Sequence, residues 1–150
     1  MLTILAPEEF PYILMGLAAN FALCTFQPFL SFRPKAFSAE YMKNFDAEHE
    51  AAFPGQKLII GGAPDHGSGW YSKKLSYADW FKLGIGQRVH QNNLEGMPLL
   101  FLWTFPVSFY IPMVGLIGVW GYLVARILYT IAYKINPGTR AGPGFLMLLL

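Results

Sequence analysis

The sequence predicts an all-α integral membrane protein, and three observations support this fold class. Of its 150 residues, 54% are hydrophobic and 13% are charged, whereas soluble domains are about 25% charged. The mean hydropathy is +0.36. Long apolar segments lie at about 10–32, 80–105 and 107–134, and each is long enough to cross a bilayer as a helix. We therefore expect one membrane domain covering residues 1–150.

The ends of the chain refine this prediction. No Lys or Arg precedes the first segment, and Glu8 and Glu9 lie there instead. Because a cleavable signal peptide has a positive start, we expect the first segment to be a retained helix. A fourth apolar run at 144–150 is too short to span, so the fourth helix is expected to be truncated or missing. A very short turn is expected near Pro106.

A long loop, about 33–79, separates the first two segments. The stretch SAEYMKNFDAEHEAAF predicts a short amphipathic surface helix, and PGQKLIIGGAPDHGSG is rich in turn formers. The stretch WYSKKLSYADWF mixes aromatic residues with lysines, as membrane-interface segments do. Ser76, three residues before Asp79, is the expected cap of the second long helix.

Charge predicts the topology and excludes some functions. The net charge of +2 gives no indication of nucleic-acid binding, and the single cysteine, Cys24, cannot form an intrachain disulfide. No Cys/His spacing predicts a metal site. Nine of the eleven Lys and Arg residues fall in two loops on one side of a three-helix chain, and none precedes the first helix. The positive-inside rule places that side in the cytosol.

A polar cluster, RVHQNNLE, opens the second segment. Arg88, Asn92 and Glu95 have the spacing i, i+4 and i+7, which puts them on one helical face. Ionisable residues inside a membrane segment predict a functional site, because burying charge in lipid is costly. A structural Arg–Glu clamp between helices explains the same spacing.

The third segment carries a matching face. Arg126, Tyr129 and Tyr133 have the spacing i, i+3 and i+7, and Arg140 follows one short loop later. An aromatic belt at the membrane surface is the alternative explanation for the tyrosines. The predicted topology puts both faces at one depth on the cytosolic side. Cations, a carboxylate, an amide and phenols together suit a small zwitterionic peptide.

The chain resembles the membrane-associated proteins in eicosanoid and glutathione metabolism, and most closely the type 3 microsomal glutathione S-transferases. Three blocks carry the resemblance in the right order, and they are EEFPYILMGLAANF, QRVHQNNLEGMPLLF and ARILYTIAYKINPGTRAGPG. The second block is similar to the group's signature in its second helix. The resemblance implies a four-helix bundle that trimerises, with glutathione as co-substrate bound between subunits.

The resemblance also implies roles for individual residues. In leukotriene C synthase, the equivalent tyrosines line the site and the equivalent arginine stabilises the glutathione thiolate. Arg140 would therefore be catalytic, and the glutathione-binding residues would be Arg88, Asn92, Glu95, Arg126, Tyr129 and Tyr133. Three features depart from the pattern, namely Gly96 in place of a tyrosine, the longer loop and the almost absent fourth helix.

Two functions are therefore expected from the sequence. The first is a membrane-bound glutathione transferase or peroxidase that takes lipophilic electrophiles or lipid hydroperoxides from the bilayer. The second is a non-catalytic accessory subunit of a large membrane complex built on the same fold. Both imply a multi-pass protein surrounded by membrane lipids, in the endoplasmic reticulum or an organelle such as the mitochondrion. The first implies a homotrimer, and the second implies unrelated partner subunits.

Overall fold

The computed structural model describes residues 6–140, 142 and 144, and for Arg140 it describes the backbone alone. Every regular element in this part of the chain is helical. The helices, in chain order, are α1 Phe10–Phe26, α2 Arg33–Ala36, α3 Ala39–Met42, α4 Asp46–Ala52, α5 Tyr77–Tyr110 and α6 Pro112–Ile135. Short 3-10 turns lie at Lys43–Phe45, Ser72–Lys74 and Pro137–Arg140.

Two compact units make up the structure. The helical unit comprises Met1–Phe26 and Val89–Leu150, and the loop unit comprises Gln27–Arg88. The loop unit is compact because it has its own buried cluster, formed by Ala36, Phe37, Met42 and Leu83. The predicted partial fourth helix at 144–150 lies outside the described residues apart from Gly144.

In the helical unit, α1 packs against α6 through small and polar residues. A side chain at Gly16 would lie 2.6 Å from Val119 Cγ1, so glycine allows the two helices to approach closely. Asn20, which is buried, donates to the carbonyls of Gly16 at 2.9 Å and Val119 at 3.1 Å. Trp120 Nε1 also donates to the Tyr12 carbonyl at 3.3 Å. The apolar cluster of this unit is formed by Ile13 and Leu17 of α1, Leu100 of α5, and Val119 and Tyr122 of α6.

The boundaries of the long helices differ from the predicted ones. The expected turn near Pro106 is wrong, because α5 continues through Pro98 and Pro106 to Tyr110. The chain turns instead at Ile111, which has φ −141° and ψ 74° and precedes Pro112. Since a proline restricts the residue before it to extended conformations and is well suited to the first helical turn, this position separates the helices.

The first helix is also shorter than predicted. It ends at Phe26 instead of Phe32, because Pro28 disfavours helical conformation at the preceding residue. By length and composition, one described helix, Pro112–Ile135, is able to cross a membrane, and Phe10–Phe26 is apolar but shorter. Helix α6 buries a stripe of side chains at alternating spacings of three and four residues, namely Gly115, Val119, Tyr122, Arg126, Tyr129 and Tyr133.

The loop unit is organised around Asp65. This buried carboxylate accepts hydrogen bonds from the amides of Gly67 (2.7 Å), Gly69 (2.9 Å) and Ser72 (2.7 Å), and from the Ser72 hydroxyl (3.0 Å). Arg33 donates to the Asp65 carbonyl at 2.7 Å. These bonds explain how a segment rich in turn formers holds one conformation.

Two local predictions for the loop can be compared with the structure. The expected amphipathic helix is broken into α3, a 3-10 turn and α4, which together cover 39–52. Ser76 caps α5 as predicted, since its hydroxyl accepts from the Asp79 amide at 3.2 Å and donates to the Asp79 carboxylate at 2.8 Å. The cap fixes where the long helix begins.

Candidate functional site

The centre of the candidate site is a direct contact between α5 and α6. Asn92 Nδ2 donates a hydrogen bond to the Tyr129 hydroxyl. The Tyr133 ring lies next, with 5.6 Å between the centroids of the two tyrosine rings. Both tyrosines are buried and Asn92 is half-buried. The structure therefore brings together three residues that the sequence placed on two separate helical faces.

Glu95 lies on the outer side of the same turn of α5. Its side chain is exposed, and it accepts a hydrogen bond from Gln91 Nε2 at 3.0 Å. Among the described residues, Lys74 and Glu48 form an ion pair, whereas Glu95 has no Lys or Arg within ion-pair distance. An Arg–Glu clamp involving Glu95 is thus not formed among these residues. Arg88 is exposed and is the last residue of the loop unit.

Arg126 is buried inside the helical unit, with 7% of its surface exposed. Its guanidinium donates to Asn93 Oδ1 at 3.2 Å and to the Tyr122 hydroxyl, and its centre lies 4.8 Å from the Tyr122 ring centroid. The sequence reasoning did not single out Asn93 or Tyr122. Tyr122 could have been found, because it lies four residues before Arg126 on the same helical face.

His90 is a half-buried residue of α5. Its Nδ1 is buried without a hydrogen-bond partner. The imidazole therefore faces the interior of the helical unit. Among the described residues, no group of three or more His, Cys, Asp or Glu side chains is placed to hold a metal ion.

Arg140 was predicted to be the catalytic residue, and its side chain lies outside the described part of the chain. Its backbone completes the 3-10 turn Pro137–Arg140, directly after α6. The Thr139 hydroxyl holds this turn against the helix end by donating to the carbonyls of Ala132 at 3.0 Å and Asn136 at 2.8 Å. Helix α6 ends at Ile135, and Pro137 and Gly138 begin this turn.

The described residues form an all-helical protein in which one helix is long and apolar enough to cross a membrane. The profile of the MAPEG family matches residues 16–150, and the chain belongs to this family. Its members are associated with membranes and generally use glutathione as co-substrate. Neither a curated protein nor a solved structure gives a significant match to the chain.

Proposed function

We propose that the protein is a membrane-bound glutathione transferase or glutathione peroxidase similar to the type 3 microsomal enzymes. Its second substrate would be a lipophilic electrophile or a lipid hydroperoxide. The observation that carries this proposal is the cluster of Asn92, Tyr129 and Tyr133 between α5 and α6. The cluster lies within the stretch that matches the glutathione-using family.

The chemistry of these residues suits glutathione. Asn92 and the two phenols donate and accept hydrogen bonds, which matches the peptide groups of the ligand. Glu95 can accept a hydrogen bond from the ammonium group of glutathione, and Arg88 can donate two parallel hydrogen bonds to one of its carboxylates. Glu95 and its partner Gln91 are exposed on the surface of α5. The proposed site is therefore completed by a second copy of the chain, as in a homotrimer.

A membrane environment is supported by the surface of the helical unit. Large apolar side chains are exposed along all three long helices, for example Tyr12, Phe21, Leu102, Trp103, Ile117 and Ile131. A surface of this kind needs an apolar surrounding. We propose that the chain crosses the membrane several times, in the endoplasmic reticulum or an organelle such as the mitochondrion. The second substrate would then enter sideways from the lipid.

The reaction would use the thiolate of glutathione as nucleophile. A free thiol has a pKa of about 8.5, so it is mostly protonated at neutral pH. Arg140 would favour the thiolate through its permanent positive charge, and it would not donate a proton. In the transferase reaction the thiolate sulfur would form a bond to an electrophilic carbon. At the same time a C–O bond of an epoxide opens and its oxygen takes up a proton, or a leaving group departs with the bonding electron pair. In the peroxidase reaction two glutathione molecules reduce one hydroperoxide to an alcohol and water, and they leave as the disulfide.

The experiment that tests this function is a binding and activity measurement on the purified protein in lipid nanodiscs. We expect calorimetry to show glutathione binding, and we expect conjugation of a hydrophobic electrophile or reduction of a fatty-acid hydroperoxide. Asn92→Ala should weaken binding, whereas Asn44→Ala is the matched control, because Asn44 is exposed in the loop unit. An absence of glutathione binding to the wild-type trimer would contradict the proposal.

The loop unit favours a second candidate function, that of an accessory subunit in a membrane complex. It has its own buried cluster, and it exposes large side chains including Phe53, Ile59, Ile60 and Trp70. Such a surface suits contact with other proteins. Purification from native membrane in mild detergent separates the candidates. Co-purification in fixed ratio with unrelated subunits supports the accessory role, and a particle of three identical chains supports the enzyme.

A further inference from the structure

The contact between α5 and α6 contains a second polar pair beside the candidate site. Arg126 donates to Asn93 Oδ1, and the neighbouring Asn92 donates to Tyr129, which lies three residues after Arg126. The two bonds therefore join the same turn of α5 to the same turn of α6. A shift of α5 against α6 at the Arg126–Asn93 pair would therefore also move Asn92 relative to Tyr129.

The position of Arg126 depends on the absence of a side chain at residue 96. A Cβ atom at Gly96 would collide with Nη2 of Arg126 and with the Tyr122 hydroxyl, and it would lie 3.0 Å from Cζ of Arg126. The guanidinium thus occupies the space above Gly96. Arg126 in this position and a side chain at residue 96 exclude one another.

Burial makes this arrangement rigid. The guanidinium is held by two neutral oxygens and by the face of the Tyr122 ring, and its Nε is buried without a hydrogen-bond partner. No carboxylate of the described residues lies within ion-pair distance of it. Moving the guanidinium within this apolar interior is costly, because its charge stays buried and its hydrogen bonds to Asn93 and Tyr122 are lost.

We propose that Arg126 and Gly96 form a lock that fixes the register between α5 and α6. In this role Arg126 is a positioning residue for Asn92 and Tyr129 and does not itself contact glutathione. The inference rests on the proposed function, since it assumes that Asn92 and Tyr129 bind glutathione. The lock itself is a property of the free protein, so it can be measured without the ligand.

The test is a double-mutant cycle on the trimer in nanodiscs. Gly96→Ala should displace Arg126, lower the melting temperature and raise the glutathione Kd by a factor of about 10 to 100, the scale of a small misplacement of binding groups. Adding Arg126→Met removes the guanidinium from the collision. Gly96→Ala/Arg126→Met should therefore bind glutathione better than the effects of the two single changes predict.

A matched control uses the same helix and the same change. A Cβ atom at Gly84, also in α5, would meet no atom within 4 Å outside the backbone of its own helix. Gly84→Ala should therefore leave the melting temperature and the Kd at or near the wild-type values. If Gly96→Ala behaves like Gly84→Ala, the lock does not exist. If the wild-type protein binds no glutathione but the melting temperatures still show coupling, the proposed function fails and the lock stands.

Arg126→Met alone distinguishes positioning from direct contact, even if Gly96→Ala does not fold. A positioning residue should raise the Kd by the same factor for glutathione and for its ethyl esters, because it touches neither carboxylate. If Arg126 instead contacts a carboxylate, Arg126→Met should raise the Kd for glutathione strongly and change the Kd little for the ester in which that carboxylate is blocked. The second result, or a double variant no better than the product of the single effects, would overturn the proposal.

Discussion

The Tyr129 hydroxyl accepts the hydrogen bond at the centre of the candidate site, and Tyr129→Phe removes this one oxygen atom. Without it, Asn92 Nδ2 loses its acceptor in a half-buried position, and an unsatisfied group of this kind costs about 1–3 kcal/mol. We expect Tyr129→Phe to raise the glutathione Kd by a factor of about 5 to 100, as measured by calorimetry. Tyr110→Phe is the control, because Tyr110 is 86% exposed. Equal affinities for the two variants would exclude Tyr129 from the site.

Arg140 provides the second test at the residue scale. If it stabilises a thiolate, Arg140→Ala should leave the trimer and glutathione binding largely intact and reduce turnover by a factor of about 10 to 1000. The pKa of the bound thiol should rise, and thiolate absorbance follows this rise. Arg140→Lys should recover only part of the lost turnover. The lysine keeps the positive charge, but it cannot make the two parallel hydrogen bonds that a guanidinium makes.

An anchor at the headgroups would give a different result for Arg140. In that case Arg140→Ala would lower the stability of the protein in the membrane and leave the thiol titration unchanged. Lys134→Ala is the matched control, because Lys134 is a cation in the last turn of α6. If Arg140→Ala changes neither the titration nor turnover, the main argument for a catalytic role is lost.

The residues of the site show what helical spacing can and cannot predict. Spacing placed Asn92 on one face of α5 and Tyr129 on one face of α6, and the structure joins them. Spacing also grouped Arg126 with Tyr129, and both are buried, but Arg126 bonds to Asn93 and Tyr122 while Tyr129 bonds to Asn92. A helical period identifies the residues that share a face, but it does not say which partner each one contacts.

Among the helical elements, α5 shows why proline alone predicts a turn poorly. Pro98 and Pro106 both lie inside it. The Ser108 hydroxyl donates to the Thr104 carbonyl, one turn earlier, and such side-chain bonds help a helix to accommodate proline. The turn occurs at Ile111–Pro112, where proline begins the next helix. The sequence alone did not show which of the three prolines, Pro98, Pro106 or Pro112, marks the turn between the helices.

Asp65 leads to a prediction about the loop unit. Burial raises the pKa of this carboxyl, but hydrogen bonds from the Ser72, Gly69 and Gly67 amides and the Ser72 hydroxyl outweigh burial and lower the pKa below its usual value. A lowered pKa in the folded state stabilises the fold at pH values above the unfolded pKa of about 3.9. This contribution is lost as the pH falls through the lower, folded value.

We therefore expect the stability of the loop unit to begin to fall below about pH 4 and to continue falling as the pH passes through the folded pKa of Asp65. At neutral pH, Asp65→Asn should lower its local stability by about 1–3 kcal/mol, because an amide brings donors toward the backbone N–H groups. Hydrogen exchange of the Gly67, Gly69 and Ser72 amides measures both effects. Asp46→Asn, an exposed change in α4, should leave the exchange unaltered. Protection factors, which correct for the intrinsic pH dependence of exchange, should fall as the pH decreases below about 4, and unchanged protection factors would contradict this account.

For the whole molecule, composition predicted the helical membrane class, and the family match supports that class. The division into two units was not predicted, because it depends on contacts between distant residues. Arg33 reaches the Asp65 carbonyl, 32 positions away, and Phe37 packs beside Gly62, which has φ +73°. A run of turn formers predicts irregular backbone, but it does not show that this backbone closes around a buried carboxylate.

The last prediction concerns the orientation of the whole chain in its membrane. Nine Lys and Arg residues lie in loops or in the adjoining ends of helices on one predicted side, and none precedes α1, so the loop unit should face the cytosol. Cys24 is the single cysteine and is buried, which makes Cys24→Ala a suitable background for reporter cysteines. Lys57 and Glu8 are both exposed, the first in the loop unit and the second before α1.

In sealed, right-side-out microsomes, a membrane-impermeant maleimide should label Lys57→Cys directly and Glu8→Cys only after detergent is added. Both variants should label equally once the vesicles are opened, which controls for the accessibility of each position in the folded protein. The reverse pattern would place the loop unit in the lumen. The cytosolic glutathione pool would then lie on the wrong side of the membrane for a site near the end of α6, and the proposed enzyme would need another source of thiol.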